Sequence, residues 1–110
     1  MAGKFEIFKD KKGNFRFRLK ASNGGIILAS QGYKSRAGCN NGIASVQKNA
    51  KTLKQFESKT SRNGKHMFCL KALNGQVVGT SEMYNTTRAR DNGIKSVKTN
   101  APKAKIDSLT

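Results

Sequence analysis

Asn-Gly-Ile-Ala-Ser-Val-Gln-Lys-Asn-Ala occupies residues 41–50, and Asn-Gly-Ile-Lys-Ser-Val-Lys-Thr-Asn-Ala occupies residues 92–101. At the same offset of 51 residues, residues 5–50 align with residues 56–101, and 18 of the 46 pairs are identical. Such self-similarity indicates a duplicated structural unit. The identities fall on glycine, aromatic and aliphatic positions, which build a fold, and no set of them forms a reaction centre.

Each copy alone is too short to bury enough apolar surface to stand independently. We therefore predict a single domain over residues 1–110, made of two repeats, 1–50 and 51–110, that share one core. Two similar units in one core behave like a fused dimer, so the chain is predicted to be a monomer that acts as an internal pseudo-dimer.

The first half of each repeat has the pattern of β-strands. Apolar and polar residues alternate over residues 5–7 and 14–21, and Asp10 to Gly13 between them has turn chemistry. The pair Asn23-Gly24, repeated as Asn74-Gly75, is expected to supply the positive backbone angles of a tight hairpin. A third strand is predicted over residues 26–31.

The second half of each repeat has helical periodicity. Ser35 is a predicted N-cap, and Cys39, Ile43, Val46 and Ala50 follow at helical spacing along one face. Asn49 and Asn100 are expected to close the two helices in the left-handed conformation, with Pro102 preventing continuation.

A glycine lies in the middle of each predicted helix, at positions 42 and 93. Glycine disfavours a helix interior by about 1 kcal/mol relative to alanine. Because both predicted helices contain this unfavourable glycine, we expect both to need it for the same geometric reason, which we interpret as close approach of two backbones. Close approach of a ligand is the alternative interpretation.

Short strands are predicted after each helix, within residues 51–60 and 104–109. Each unit is then β-β-β-α-β. The predicted fold class is α+β, with two tandem units forming one shared, mainly antiparallel sheet and both helices on one face.

The composition is strongly basic. The chain has 22 Lys and Arg against 6 Asp and Glu, a formal net charge of +16. Such a surface attracts anionic polymers, although the same charge could serve solubility alone. The N-terminus lacks the apolar region of a secretory signal, and the longest aliphatic run, residues 26–29, is too short to cross a bilayer. These features predict a cytoplasmic location and no membrane association.

The chain offers few residues for catalysis or metal binding. His66 is the only histidine, and the alternation places it partly buried beside a hydrogen-bond partner. Cys39 and Cys69 lie at non-equivalent positions and predict reduced thiols, with neither a disulfide nor a zinc site. Glu6 and Glu57 are equivalent, and basic residues on the neighbouring strand are expected to balance them. Tyr33 and Tyr84 are expected to pack over the helix starts.

One surface stands out as a candidate binding site. Because Phe15, Phe17 and Leu19 point to the core, the basic side chains between them point to the opposite face of the sheet. The predicted anion-binding surface consists of a basic stripe, Arg16, Arg18 and Lys20, joined by three turn lysines, Lys9, Lys11 and Lys12. The alternative is that this stripe is an ordinary solvated face.

Two segments resemble the signatures of a known family. Residues 19–24, Leu-Lys-Ala-Ser-Asn-Gly, and residues 41–50 are similar to the two motifs of the YegP-like family of uncharacterised proteins. Both motifs recur, at residues 70–75 and 92–101. The resemblance implies two units of three strands, a helix and a strand that form one sheet and exchange their last strands. It implies no activity and no catalytic or ligand-binding residues.

The sequence therefore predicts a non-enzymatic binding module for an anionic partner such as nucleic acid, without cofactor or metal. The alternative is a protein-interaction or structural module that uses an exposed sheet edge or the helix face. An enzyme is disfavoured because the chain has one histidine, no phosphate-binding glycine loop and no serine nucleophile motif.

Overall fold

The computed structural model describes residues 3–109. Within this range seven strands form one sheet, and two α-helices pack on it. In chain order the elements are β1 (Lys4–Lys9), β2 (Phe15–Lys20), β3 (Ile26–Ala29), α1 (Arg36–Asn49), β4 (Phe56–Thr60), β5 (His66–Lys71), β6 (Val77–Thr80), α2 (Thr87–Asn100) and β7 (Lys105–Ser108), with short 3-10 turns at Leu53–Gln55 and Ala101–Lys103.

The predicted fold class is confirmed, and the sheet is mainly antiparallel. Its strand order is β4-β5-β6-β3-β2-β1-β7. The two units meet at the centre, where β3 pairs with β6 through Ala29 and Thr80. Only β7 runs parallel to its neighbour, β1. The C-terminal strand of the second unit thus completes the edge of the first unit, which is one half of the strand exchange that the family resemblance implies.

The strand predicted after α1 does not form as a separate element. Residues 53–55 form a 3-10 turn, and the chain enters β4 directly at Phe56. Because β4 is itself the first strand of the second unit, no residues remain for an extra strand. The sheet therefore has seven strands rather than eight, and the fourth strand is present only in the second unit.

The hairpins end in glycine turns, as the Asn-Gly pairs predict. Gly24 has φ 87° and Gly75 has φ 85°, whereas no described non-glycine residue has positive φ. Asn23 instead accepts a hydrogen bond from the backbone N–H of Gly25 at 3.0 Å through its side chain. The positive angle is therefore supplied by the glycine alone.

The helices and the sheet enclose one apolar cluster. Phe17 on β2 and Phe68 on β5 are fully buried, and Ile43 and Val97 pack against the same cluster from α1 and α2. Both helices therefore cover the same face of the sheet. The opposite face, which carries no helix, is called the open face below.

The helices end differently from the prediction. Asn49 and Asn100 are the last helical residues, and the alanines that follow are right-handed, with φ −62° at Ala50 and −58° at Ala101. The side-chain oxygen of Asn100 accepts a hydrogen bond from the Gly3 backbone N–H at 2.8 Å. This asparagine connects the end of α2 to the start of β1, so the left-handed assignment was wrong.

The helix glycines face aromatic rings, not backbone. A Cβ atom on Gly42 would collide with the Tyr33 hydroxyl and lie 3.0 Å from the Phe17 ring. Tyr33 stacks on Phe17 with ring centroids 6.2 Å apart, and burial raises the pKa of its hydroxyl. Gly93 is in the same relation to Tyr84. Each helix therefore has a glycine at this position because a side chain there would collide with the packed tyrosine.

Candidate nucleic-acid interface

The open face carries the basic stripe, as the alternation of β2 predicts. Phe17 and Leu19 are fully buried beneath the helices. Arg16, Arg18 and Lys20 have the opposite orientation and are partly exposed on the open face. A single strand therefore presents three cations about 7 Å apart along its length.

Glu6 is a buried carboxylate that lies among the cations of the open face. It is only 5% exposed and lies opposite Arg18 across the β1–β2 pair. Its carboxylate lies 2.7 Å from Arg18 Nε, 3.3 Å from Lys20 Nζ and 3.5 Å from Lys4 Nζ. The Arg18 hydrogen bond, above all, lowers the pKa of Glu6. Three cations are thus gathered around one ionised carboxylate.

Arg16 is held by a different carboxylate, Asp10 in the β1–β2 turn. Its Nε donates to Asp10 Oδ2 at 2.8 Å. The same aspartate accepts backbone N–H bonds from Lys12 at 2.9 Å and Asn14 at 3.0 Å. The Arg16 hydrogen bond is the largest cause of a lowered pKa at Asp10. The stripe and the turn are therefore fixed to each other.

Arg18 also packs on an aromatic ring. Its guanidinium carbon lies 4.6 Å from the centroid of Phe8, which projects on the open face beside it. This cation–π contact and the bond from Nε to Glu6 orient the planar group. The two terminal nitrogens have no hydrogen-bond partner among residues 3–109. They are available to an anion.

The turn lysines do not all lie with the stripe. Lys9 pairs with Phe15, which places it on the helix face, and its ammonium lies 5.1 Å from the centroid of that ring. Lys11 and Lys12 are exposed in the turn, and no described residue pairs with their ammonium groups. Lys9 is therefore separated from the surface that the sequence predicted.

The structure adds lysines that sequence reasoning missed. A cavity of about 750 Å³ lies where the start of β1, the end of β2 and β7 meet. Lys4, Lys103 and Lys105 line it, together with Asp107 and Lys20 of the predicted stripe. The parallel pairing of β7 brings Lys105 opposite Lys4. Exchange of the last strands, which the family resemblance implies, was the one signal that could have placed Lys105 here.

The equivalent face of the second unit is less basic. Met67 and Cys69 occupy the positions of Arg16 and Arg18. Glu57 pairs with Lys71 at 2.6 Å and Lys59 at 3.4 Å, and its side chain is 43% exposed. The Lys71 hydrogen bond, first of all, lowers the pKa of Glu57. The open face is therefore asymmetric, with its cations concentrated over the first unit.

Nothing in residues 3–109 forms a cluster of His, Cys, Asp and Glu that could hold a metal ion. His66 is partly buried and lies 3.2 Å from Thr60 Oγ1 through its Nδ1, in agreement with its predicted environment. Cys39 and Cys69 are buried free thiols, and burial raises the pKa of Cys39. No helix over the same range is long and apolar enough to cross a membrane.

These observations define a class: tandem-repeat α+β proteins in which two similar units build one seven-stranded sheet with a basic open face. The chain belongs to the family described as Domain of unknown function (DUF1508), which matches residues 10–57 and 61–107. The two matches confirm the duplication, and the similarity to YegP of Escherichia coli confirms the resemblance to YegP-like proteins.

The relatives cover all or nearly all of the chain. The UPF0339 protein in the ptx operon 5' region of Stutzerimonas stutzeri is 58% identical over 96% of both chains. The UPF0339 protein YegP of Escherichia coli K12 is 46% identical over the full length of both. Solution NMR structures of yegP from E. coli and of UPF0339 protein SO3888 from Shewanella oneidensis match with TM-scores of 0.95 and 0.94, each at 45% identity. They cover 100% of this chain and 95% and 93% of theirs.

Proposed function

We propose that this protein is a non-enzymatic binding module for an anionic polymer, with nucleic acid as the favoured partner. The supporting observation is the open face of the first unit. There the cations of β1, β2 and β7 surround the carboxylates of Glu6 and Asp107 and outnumber them. The remaining positive charge lies on the sheet and continues into the lysine-lined cavity.

The arrangement suits a phosphate backbone better than bases. Phe8, the aromatic ring beside the stripe, is only partly exposed and has the Arg18 guanidinium over its ring, which limits it as a surface for base stacking. Contacts from Arg and Lys to phosphates fix position and carry no sequence information. We therefore expect binding with little sequence preference and a strong dependence on salt. The activity is proposed for a monomer in the cytoplasm.

A salt titration tests the proposal. Fluorescence anisotropy with a labelled 20-nucleotide DNA, single-stranded and then duplex, gives the affinity between 25 and 200 mM salt. The logarithm of the association constant should fall linearly with the logarithm of salt concentration, by about 0.9 per phosphate contact for duplex DNA. No measurable binding at the lowest salt would end the proposal.

Two matched variants locate the site. Arg18→Gln removes one charge from the stripe, and Lys48→Gln removes one from an exposed position on α1. Arg18→Gln should weaken binding and reduce the salt slope by about 1, whereas Lys48→Gln should leave both nearly unchanged. Equal effects would mean that net charge alone attracts the polymer and that the open face is not a site.

A second candidate function is protein binding. The specific observation that favours it is the sheet edge at β4, at the opposite end of the strand order from β7, which no other strand of residues 3–109 covers.

A further inference from the structure

The two edges of the sheet are built from equivalent strands but are not equally complete. At one edge β7 pairs in parallel with β1, with Phe5 opposite Ile106 and Ile7 opposite Ser108. β4 is the counterpart of β1 in the second unit, and among residues 3–109 it pairs with β5 alone. The position that β7 fills on the first unit is therefore open on the second.

The apolar surface beside β4 shows the same difference. Phe5 and Ile43 are fully buried in the first unit. Their counterparts are Phe56, which is partly exposed, and Ile94, and Leu53 beside them is 62% exposed. A groove of about 480 Å³ runs between β4 and α2 over these three side chains. It is the shape that remains where the covering strand is missing.

The backbone of β4 can extend the sheet. In the complete edge, the backbone N–H of Leu109 donates to the carbonyl oxygen of Ile7 at 2.8 Å. Ser58 is the counterpart of Ile7, whose carbonyl group points outward from β1. Because peptide groups of alternate residues point to the same side of a strand, those of Phe56 and Ser58 point outward from β4. The Phe56 N–H bonds to the Leu53 carbonyl. Ser58 N–H, Ser58 C=O and Phe56 C=O are then offered to an added strand.

The charges that line the groove indicate which kind of added strand can bind there. Lys95 and Lys98 on α2 line it, with Asp91 as the one carboxylate among the lining residues. A second copy of this chain would bring a further net charge of +16 to a basic surface, which opposes self-association. Its own β7 is also already paired with β1. An acidic segment of another protein, with its backbone unpaired, meets neither obstacle.

We propose that the edge of β4 binds an extended acidic segment of another protein by strand addition. The segment runs parallel to β4, as β7 does to β1, with an apolar side chain on Phe56 between Leu53 and Ile94. Because side chains alternate between the two faces of a strand, a carboxylate two residues after that apolar side chain lies on the same face, near Lys95 and Lys98. Backbone hydrogen bonds give such a complex its affinity, and the groove gives it specificity. This surface is separate from the basic stripe.

The strand that already occupies the complete edge supplies the probe. It is an acetylated peptide, Ala-Glu-Ile-Asn-Glu-Leu, which has the sequence of residues 104–109 with Lys105 and Ser108 replaced by Glu and with Asp107, whose position would lie opposite Glu57, replaced by Asn. Titration into the ¹⁵N-labelled full chain, followed by NMR, should shift the amides of Ser58, Ile94 and Lys95. The unaltered peptide should bind more weakly, and a scrambled peptide of equal charge should shift none of these amides.

Two variants test the geometry. Ser58→Pro removes an N–H that points away from β5, a change that an edge strand tolerates, and should weaken peptide binding about tenfold or more. Ser58→Ala retains the N–H and should bind like the unmodified chain. The double variant Lys95→Glu, Lys98→Glu leaves the strand intact and should also weaken the acidic peptide about tenfold, so the test survives if the proline variant does not fold.

Three results would overturn the proposal. The first is full peptide affinity in folded Ser58→Pro and in the double lysine variant. The second is a set of shifts confined to the basic stripe, which would show that the peptide is only a polyanion. The third is a concentration-dependent dimer, seen by sedimentation without peptide and lost in Ser58→Pro, which would assign the edge to a second copy.

Discussion

Single glycines determine how each tyrosine packs. Gly42 lies in the middle of α1, where alanine ordinarily stabilises a helix by about 1 kcal/mol relative to glycine. Here the added methyl group would collide with the Tyr33 hydroxyl. We therefore expect Gly42→Ala to lower the free energy of unfolding by about 1–3 kcal/mol, as overpacking does. Urea denaturation measures this change.

Gly93→Ala should have the same effect, because its methyl group would meet the hydroxyl of Tyr84. A Tyr33→Phe background should restore part of the stability lost in Gly42→Ala, since the hydroxyl is the nearest obstacle. A Gly42→Ala chain more stable than the unmodified one would contradict the packing described here.

Glu6 should make stability sensitive to acid. Its pKa in the folded chain lies below the ordinary value of 4.5, chiefly because Arg18 donates to it. Its contribution is therefore complete above about pH 4.5 and is lost as the pH falls through the folded-state pKa. Glu6→Gln should reduce the difference in unfolding free energy between pH 6 and pH 3, measured by urea titration at both values.

Glu57→Gln is the matched control for Glu6. Glu57 has the equivalent position and also has a lowered pKa, but its side chain is 43% exposed, against 7% for Glu6. Solvent screens exposed ion pairs, so this variant should change the acid sensitivity less. Equal effects of the two variants would show that the burial of Glu6 does not increase the acid sensitivity of the unfolding free energy.

At the scale of elements, an asparagine joins α2 to β1. The Asn100 side-chain oxygen accepts the buried N–H of Gly3, 97 residues earlier in the chain. Asn100→Ala leaves that N–H without a partner and should lower the unfolding free energy by about 1–3 kcal/mol. Within the described part of the chain, Asn49→Ala removes only bonds to Ser45 in α1, and it should lower the unfolding free energy less. Thermal unfolding of both variants distinguishes these outcomes.

The sequence predicted elements well where one local pattern was sufficient. Alternation along β2 placed Phe17 inside and Arg18 outside, and both placements are confirmed. The sequence failed to predict the outcome where it depended on contacts with residues far away in the chain. Asn100 was expected to be a left-handed cap, yet α2 ends right-handed and the Asn100 side-chain oxygen accepts a hydrogen bond from Gly3, 97 residues earlier. Lys105 reaches Lys4 only through a parallel pairing across 101 residues, which no local pattern encodes.

At the scale of the whole molecule, duplication has given symmetric packing and asymmetric surfaces. Phe17 and Phe68 occupy equivalent positions in the same cluster. On the open face, however, Arg18 is replaced by Cys69 in the second unit. The edges also differ, since β7 covers only one of them. The core therefore retains the repeat, whereas each proposed binding surface is present at only one of its two equivalent positions.

A common core predicts that the two units unfold together. Phe17→Ala should lower the unfolding free energy by about 2–5 kcal/mol as a large core truncation, whereas Lys11→Ala, in an exposed turn, should change it little. Because Phe17 and Phe68 lie in one cluster, hydrogen exchange of β5 amides should lose as much protection as that of β2 amides. If β5 kept its protection while β2 lost it, the two repeats would be separately folding units, and residues 1–110 would not form a single cooperative domain.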